Sequence, residues 1–252
     1  MHNHLKTKSL TIERILNAAK ELIMEEGLCS FRLSQIPTRA QCSTKTFYNH
    51  FKSKEDLVSA LFIENFNFVL ENMRQLISMD SLSYKQKVIY IHMFDVIKSW
   101  SETSNDVCVS FLGANPHVYG VSSPEYEGNI DVVFIELKQM NEQLWSNALK
   151  SGELLSSKQE IIDCIFSMRT IERGSIIMGQ NKFLRQHGHN NSIKTIFNLL
   201  CTAMNTLNWK DQSPISFNDM FEIVSPLAQA DRNSTFQHYK LTFDTLSDPM
   251  EL

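Results

Sequence analysis

The chain lacks most of what would make it a membrane protein, a disulfide-held secreted domain or a metalloenzyme. No apolar run reaches the roughly 18 residues of a helical membrane span, so none is expected. The five cysteines, Cys29, Cys42, Cys108, Cys164 and Cys201, are odd in number and include no C-x-x-C pair. That argues for a reducing compartment and against a disulfide framework or zinc site. Met1 to Leu10 is polar and has no apolar signal-peptide core, which points to the cytoplasm. There is no Gly-rich phosphate loop, no G-x-S-x-G elbow and no H-E-x-x-H pair, so neither catalysis, nor a cofactor, nor a metal is expected. His187 and His189 sit two apart in a polar turn, a spacing too weak by itself to imply a metal site. Sustained strand alternation is missing before the tail, and no internal repeat is visible.

What is present is a basic head on an acidic body. Residues 1–54 carry nine lysines and arginines against four acids, a net of +5, which leaves −9 for the rest of a chain whose total is −4. Such a distribution suits a polyanion bound at one end. Within the head, Ser43 to Leu57 is the most informative stretch. Ser43 is placed to cap a short polar helix over Thr44–Phe51, accepting from an amide two or three residues on. Phe47 and Phe51 are four apart and share one face. Thr44, Lys45, Tyr48 and Asn49 fall elsewhere on the helix, free to reach a nucleic-acid groove. Ser53 caps a second helix whose first turn holds Glu55 and Asp56, favoured there by the helix dipole. This is the anatomy of a recognition helix followed by a scaffold helix.

Elsewhere, helical periodicity dominates. Ile12 to Glu26 carries a stripe of Ile15, Leu16, Ala19, Leu22 and Ile23, with Thr11 as cap and Gly27 as stop. A second helix is expected between Leu33 and Ala40, and a long one from Lys54 to Ser78. Tyr84–Trp100, a short piece at Val107–Leu112, a loop at Gly113–Pro124, then Glu125–Lys150, Lys158–Leu184 and Ser192–Asn208 follow. In the tail, Phe217–Val224 fits a short helix, and Tyr239, Leu241 and Phe243 alternate as in a short strand.

Ile15-Leu16-Asn17-Ala18-Ala19, Glu26-Gly27, Thr46-Phe47-Tyr48-Asn49-His50-Phe51 and Ser53-Lys54-Glu55-Asp56-Leu57 stand in ungapped register with the N-terminal domain of the TetR family. Residues 12–61, about the first quarter, resemble that domain. The resemblance implies an all-α protein: a three-helix helix-turn-helix domain over 1–53, a helical ligand-binding and dimerisation domain over 54–209, and a C-terminal extension over 210–252. Four positions depart from the family pattern: Pro37, Gln41, Cys42 and Lys45. Gln41 stands where glycine is usual and is expected in a tight, left-handed conformation. Pro37 would break a helix starting at Leu33, at a cost of about 3 kcal/mol. With Ser34 as cap it falls where no intrahelical donor is needed, so this helix is expected to start late or be distorted.

The resemblance implies helix-turn-helix docking on a palindromic double-stranded DNA operator. Thr44 and Lys45 are candidates for base contact, Lys45 donating to guanine O6 and N7. Thr46, Tyr48 and Lys54 resemble phosphate-contacting positions, Asn49 and His50 are further candidates, and Arg32 and Arg39 would touch the flanking backbone. In the family the last two long helices form a homodimer; here Ile165, Met168, Ile171, Gly174, Ile196, Leu200 and Ala203 offer such a surface. The family also senses a small-molecule effector in the body. Phe62, Phe66, Met93, Phe94, Phe111 and Trp145 could line an apolar pocket, with His92, Asn115, His117 and Gln143 to orient a ligand. By default they are core residues. The function implied is a sequence-specific transcriptional regulator, a repressor released from its operator by a small apolar ligand. Control by a protein partner docked on the acidic body is the alternative, and a thiol switch at Cys42 a third.

Overall fold

Ile15, Leu16, Ala19, Leu22 and Ile23 recur at helical spacing, and all are buried in the computed structural model. They lie on α1, His2–Glu26. This helix begins well before the cap expected at Thr11, which is a buried residue inside it. Gly27, at φ +84°, ends the helix, its amide closing on the Ile23 carbonyl at 2.8 Å. The structure describes residues 2–27, 30–100, 122–180, 182–187 and 192–229. Cys29, Cys108, Phe111, Asn115, His117, His189, the 107–112 piece and the 239–243 alternation lie outside the described residues.

The second helix is distorted as Pro37 demands. Leu33–Gln35 form a 3-10 turn and Ile36–Arg39 a single α-turn, α2. Gln35, not Ser34, stands at the cap, so Pro37 falls in the first turn, where its missing N–H costs nothing. The turn into α3 (Thr44–His50) passes through Gln41 at φ +52°. A side chain there costs about 1–2 kcal/mol relative to glycine. Gln41→Gly should therefore stabilise the protein by about 0.5–1 kcal/mol, after allowance for the greater freedom of glycine in the unfolded chain. A thermal melt showing a lower midpoint would refute this.

Two longer helices follow, α4 (Lys54–Ser78) and α5 (Tyr84–Trp100), both with the bounds read from the sequence. Next come α6 (Pro124–Lys150), α7 (Lys158–Gln180), α8 (Lys182–Gln186), α9 (Ile193–Met204) and α10 (Phe217–Gln229). The helix expected over Lys158–Leu184 is thus two, and the one expected over Ser192–Asn208 is shorter. Ser192 caps it, its Oγ accepting from the Thr195 amide at 3.1 Å. The protein is all-α; among the described residues no helix is long and apolar enough to cross a membrane.

The described residues divide into two compact units. The first comprises Met1–Phe68 with the described part of Asn105–Val133. Its core is Leu16, Ile23, Phe31, Ile36, Phe47, Phe51, Leu57 and Leu61. Lys20, only 6% exposed, is neutralised by Glu64 at 2.6 Å, which ties α1 to α4.

The second unit is drawn from Val69–Ser104 and Phe134–Ala230. Here α5 is central, contacting α7, α9 and α10. Met220, Val224 and Ala228 of α10 are buried, so the helical part of the expected extension is built into the body. It is also longer than the Phe217–Val224 expected. A polar chain joins α5 to α7: His92 Nδ1 meets a Glu172 carboxylate oxygen, Arg173 reaches both Glu172 and Asp95, and Lys98 pairs with Asp95 at 3.1 Å. Buried charges of this kind persist because each has an opposite partner.

Candidate nucleic-acid interface

A short helix such as α3 cannot persist by propensity alone, and here both its ends are held. At the start, Ser43 is extended (φ −71°, ψ 150°) and its Oγ accepts from the Thr46 amide at 3.0 Å. The Ser43 and Thr46 hydroxyls are also bonded at 2.8 Å. On the inner face, Phe47 and Phe51 are fully buried, their rings 5.8 Å apart. Tyr48 packs edge-on against Phe47 at 5.1 Å yet stays 45% exposed.

The end of α3 is gripped by the start of α6. Tyr126 stacks on Phe51 at 5.9 Å and its hydroxyl donates to the His50 carbonyl at 3.0 Å, at the end of the helix where carbonyls lack intrahelical donors in general. Burial pushes the Tyr126 phenol well above its ordinary range, so it remains a donor. Asp56, 1% exposed, bridges the same region: its carboxylate accepts from the Lys52 amide at 3.1 Å and the Ser123 amide at 2.8 Å. Neither residue was singled out for this role from the sequence. Asp56 read only as a first-turn acid, and Tyr126 is 76 residues from its partner.

Thr44, Lys45, Tyr48 and Asn49 are all exposed and lie at i, i+1, i+4 and i+5, which places them on one side of α3. Thr46 and His50 are half-buried at its edges. Arg32 is exposed. Arg39 is exposed too, but it is paired with Glu25 at 2.7 Å and Glu21 at 3.7 Å. The hydrogen bond to Arg39 holds the Glu25 carboxyl below the usual carboxylate range and raises the guanidinium further. Lys54 is drawn inward: its Nζ donates to the Phe31 carbonyl at 3.1 Å and sits 4.0 Å from the Phe31 ring centre. Its ammonium is thus engaged with the Phe31 carbonyl and ring. Cys42 is half-buried and burial raises its thiol, which disfavours the reactive thiolate a redox switch needs.

In the body, the expected dimer residues separate into two groups. Met168, Ile196 and Leu200 are fully buried within the subunit and are core, because α7 and α9 pack on each other and on α5. Ile165, Ile171, Gly174 and Ala203 are half-buried. The apolar side chains left outside are instead Phe166, 73% exposed, with Ile162 and Ile177 on α7 and Leu199 on α9. Of the expected pocket residues, Phe62 and Phe66 are buried with rings 4.3 Å apart in the first unit. Met93, Phe94 and Trp145 are buried in the second. Trp145 lies 6.2 Å from Trp209. Gln143 is exposed, its amide donating to Asn147, and so does not orient a buried ligand. His92 is held by Glu172.

Comparison with known proteins agrees with this geometry. The chain is 34% identical over 71 residues to the fatty acid metabolism regulator protein of Bacillus subtilis, a match covering 28% of this chain and 37% of that one. It is 35% identical over 76 residues to the HTH-type transcriptional regulator UidR of Escherichia coli, covering 30% and 39%. It thus spans well under half the length of these curated relatives. A putative TetR-family transcriptional regulator from Mesorhizobium loti shares the fold, with a TM-score of 0.58 at 13% identity over 79% of this chain and 95% of that one. Residues 15–61, which hold the capped α3 and its aromatic anchor, match the family model described as bacterial regulatory proteins, tetR family.

Proposed function

We propose that this protein is a sequence-specific repressor of transcription that binds a palindromic operator as a homodimer and leaves it when a small apolar molecule binds the body. The observation that carries this reading is the exposed side of α3, with Thr44, Lys45, Tyr48 and Asn49 presented by a helix fixed at both ends. A rigid element that exposes a cation, a phenol, an amide and a hydroxyl together matches the donor and acceptor pattern of major-groove edges. Thr46, His50, Arg32 and the amides at the start of α4 are set to meet phosphates on either side.

Two heads must be held roughly 34–36 Å apart to read successive grooves. The exposed Ile162, Phe166 and Ile177 of α7, with Leu199 of α9, supply the apolar surface for a two-fold contact. The half-buried Ile165, Ile171, Gly174 and Ala203 would lie at its margin. Control by a metabolite is supported by the name of the Bacillus subtilis relative, a regulator of fatty acid metabolism. The Tyr126 and Asp56 contacts give α6 a direct hold on the end of α3, so a ligand that displaces α6 also tilts the reading helix. Cytoplasmic action follows from this role.

The test is a salt-controlled binding titration on an operator selected from random DNA. Lys45→Ala should cost about 1–3 kcal/mol per half-site and relax preference at one base pair. Tyr48→Phe should weaken all sequences alike. Unchanged affinity in both variants would remove α3 from the interface.

A further inference from the structure

The second unit contains a cavity of about 130 Å³ beside the start of α5, lined by Lys85, Gln86, Glu153, Trp209 and Asp211 among others. Its frame is firm. Leu154 and Trp209 form an antiparallel bridge, with the Leu155 amide on the Asn208 carbonyl at 2.9 Å and the Lys210 amide on the Glu153 carbonyl at 2.8 Å. The Trp209 indole N–H is spent on the Met204 carbonyl at 3.1 Å and the residue is only 2% exposed, so what little of it lines the cavity brings no free donor from the ring.

Lys85 is the anomaly. It is only 6% exposed. Among the described residues the other buried lysines each have a counterpart: Lys20 has Glu64, Lys98 has Asp95, and Lys87 lies 5.2 Å from the Tyr84 ring centre. Among the described residues Lys85 has no hydrogen bond and no ion pair; its charge acts only through space, helping to lower the Asp211 carboxyl and opposing the rise of the Cys201 thiol. Burial pushes that thiol up to about 11, so at neutral pH it brings no compensating charge. A buried, unpaired ammonium is costly. Two carboxylates face the same space with acceptor capacity to spare. Glu153 uses one oxygen for the Tyr84 amide at 2.9 Å, and Asp211 uses one for the Ser213 amide at 2.8 Å.

From this arrangement we infer that the cavity is a binding site for a small zwitterion, an α-amino acid of the size of glycine or alanine, with its carboxylate on Lys85, its ammonium on Asp211 and Glu153, and its side chain on the Trp209 ring. Asp211 is exposed, so the cavity opens to solvent on that side; beside the roughly 150 Å³ of a dry cavity that accepts benzene, its volume suits about five or six non-hydrogen atoms. Carboxylate or amine alone would satisfy one half of the lining and leave the other half bare. The site is independent of operator binding by α3, and its test does not involve DNA.

The full chain is titrated with L-alanine, and separately with propionate, ethylammonium and L-leucine, while tryptophan fluorescence and calorimetric heat are read. Saturable binding of alanine, at least about tenfold tighter than propionate or ethylammonium and tighter than leucine, is the expected result. Lys85→Met and Asp211→Asn should each weaken alanine about tenfold or more. Because Lys85→Met removes a buried group and could unfold the chain, a magnetisation-transfer signal from the alanine methyl to the Trp209 ring is sought in the unsubstituted protein. Absence of that signal at the highest soluble alanine concentration, equal affinity for propionate, or alanine binding undiminished in a folded Lys85→Met protein would each overturn the assignment, leaving the cavity a pocket of water.

Discussion

Phe47→Ala should cost about 3–5 kcal/mol, the usual penalty for emptying a buried phenylalanine site. Phe47 is fully buried, packs on Phe51 and supports the ring of Tyr48. A domain with a total stability of about 5–15 kcal/mol loses a large share of it, and α3 is too short to remain helical once its inner face is gone. The expected outcome is a head whose melting midpoint falls sharply, with operator binding lost at temperatures where the body still melts as before. Circular dichroism and binding measured across the same temperature range would check this. A variant that keeps its melting profile would mean that the aromatic pair is not what holds the reading helix.

Phe166→Glu should have the opposite profile: little effect on the subunit, a large effect on assembly. The side chain is 73% exposed, so the folded monomer should change by no more than about 0.5 kcal/mol. In the proposed two-fold contact the same change would bury two facing carboxylates, a like-charge clash worth several kcal/mol. Analytical ultracentrifugation should show the mass of a single subunit at concentrations where the unsubstituted protein is paired, and operator affinity should fall with it. A variant that still sediments as a dimer would place the contact elsewhere. A parent protein that never dimerises would remove the two-headed reading altogether.

The head was legible because its signals are local. A serine cap is read from residues three apart, an aromatic face from residues four apart, and both depend on helix geometry alone. The Ser43 cap, the buried Phe47–Phe51 pair and the bounds of α4 and α5 follow directly. The Pro37 distortion and the left-handed Gln41 also follow, since each is a constraint of one residue on its own backbone. The cap of α2 fell one residue from its expected place because no side-chain hydrogen bond fixes it and the 3-10 turn over Leu33–Gln35 runs directly into the helix.

Periodicity could say that α7 and α9 are amphipathic, and it could not say which apolar stripe meets its own chain and which is left for another. Met168, Ile196 and Leu200 point into the subunit only because α7 and α9 pack on each other and on α5, an arrangement built from segments far apart in the sequence. The same holds for the Tyr126 hydroxyl on the His50 carbonyl, for Lys54 turned to Phe31, and for Lys85 left unpaired beside Trp209 and Asp211. Helix type, caps and the reading face are short-range physics and are written in neighbouring residues. Which surface stays exposed, which charge lacks a partner and which helix holds the recognition element are long-range outcomes of packing, and the folded chain alone decides them.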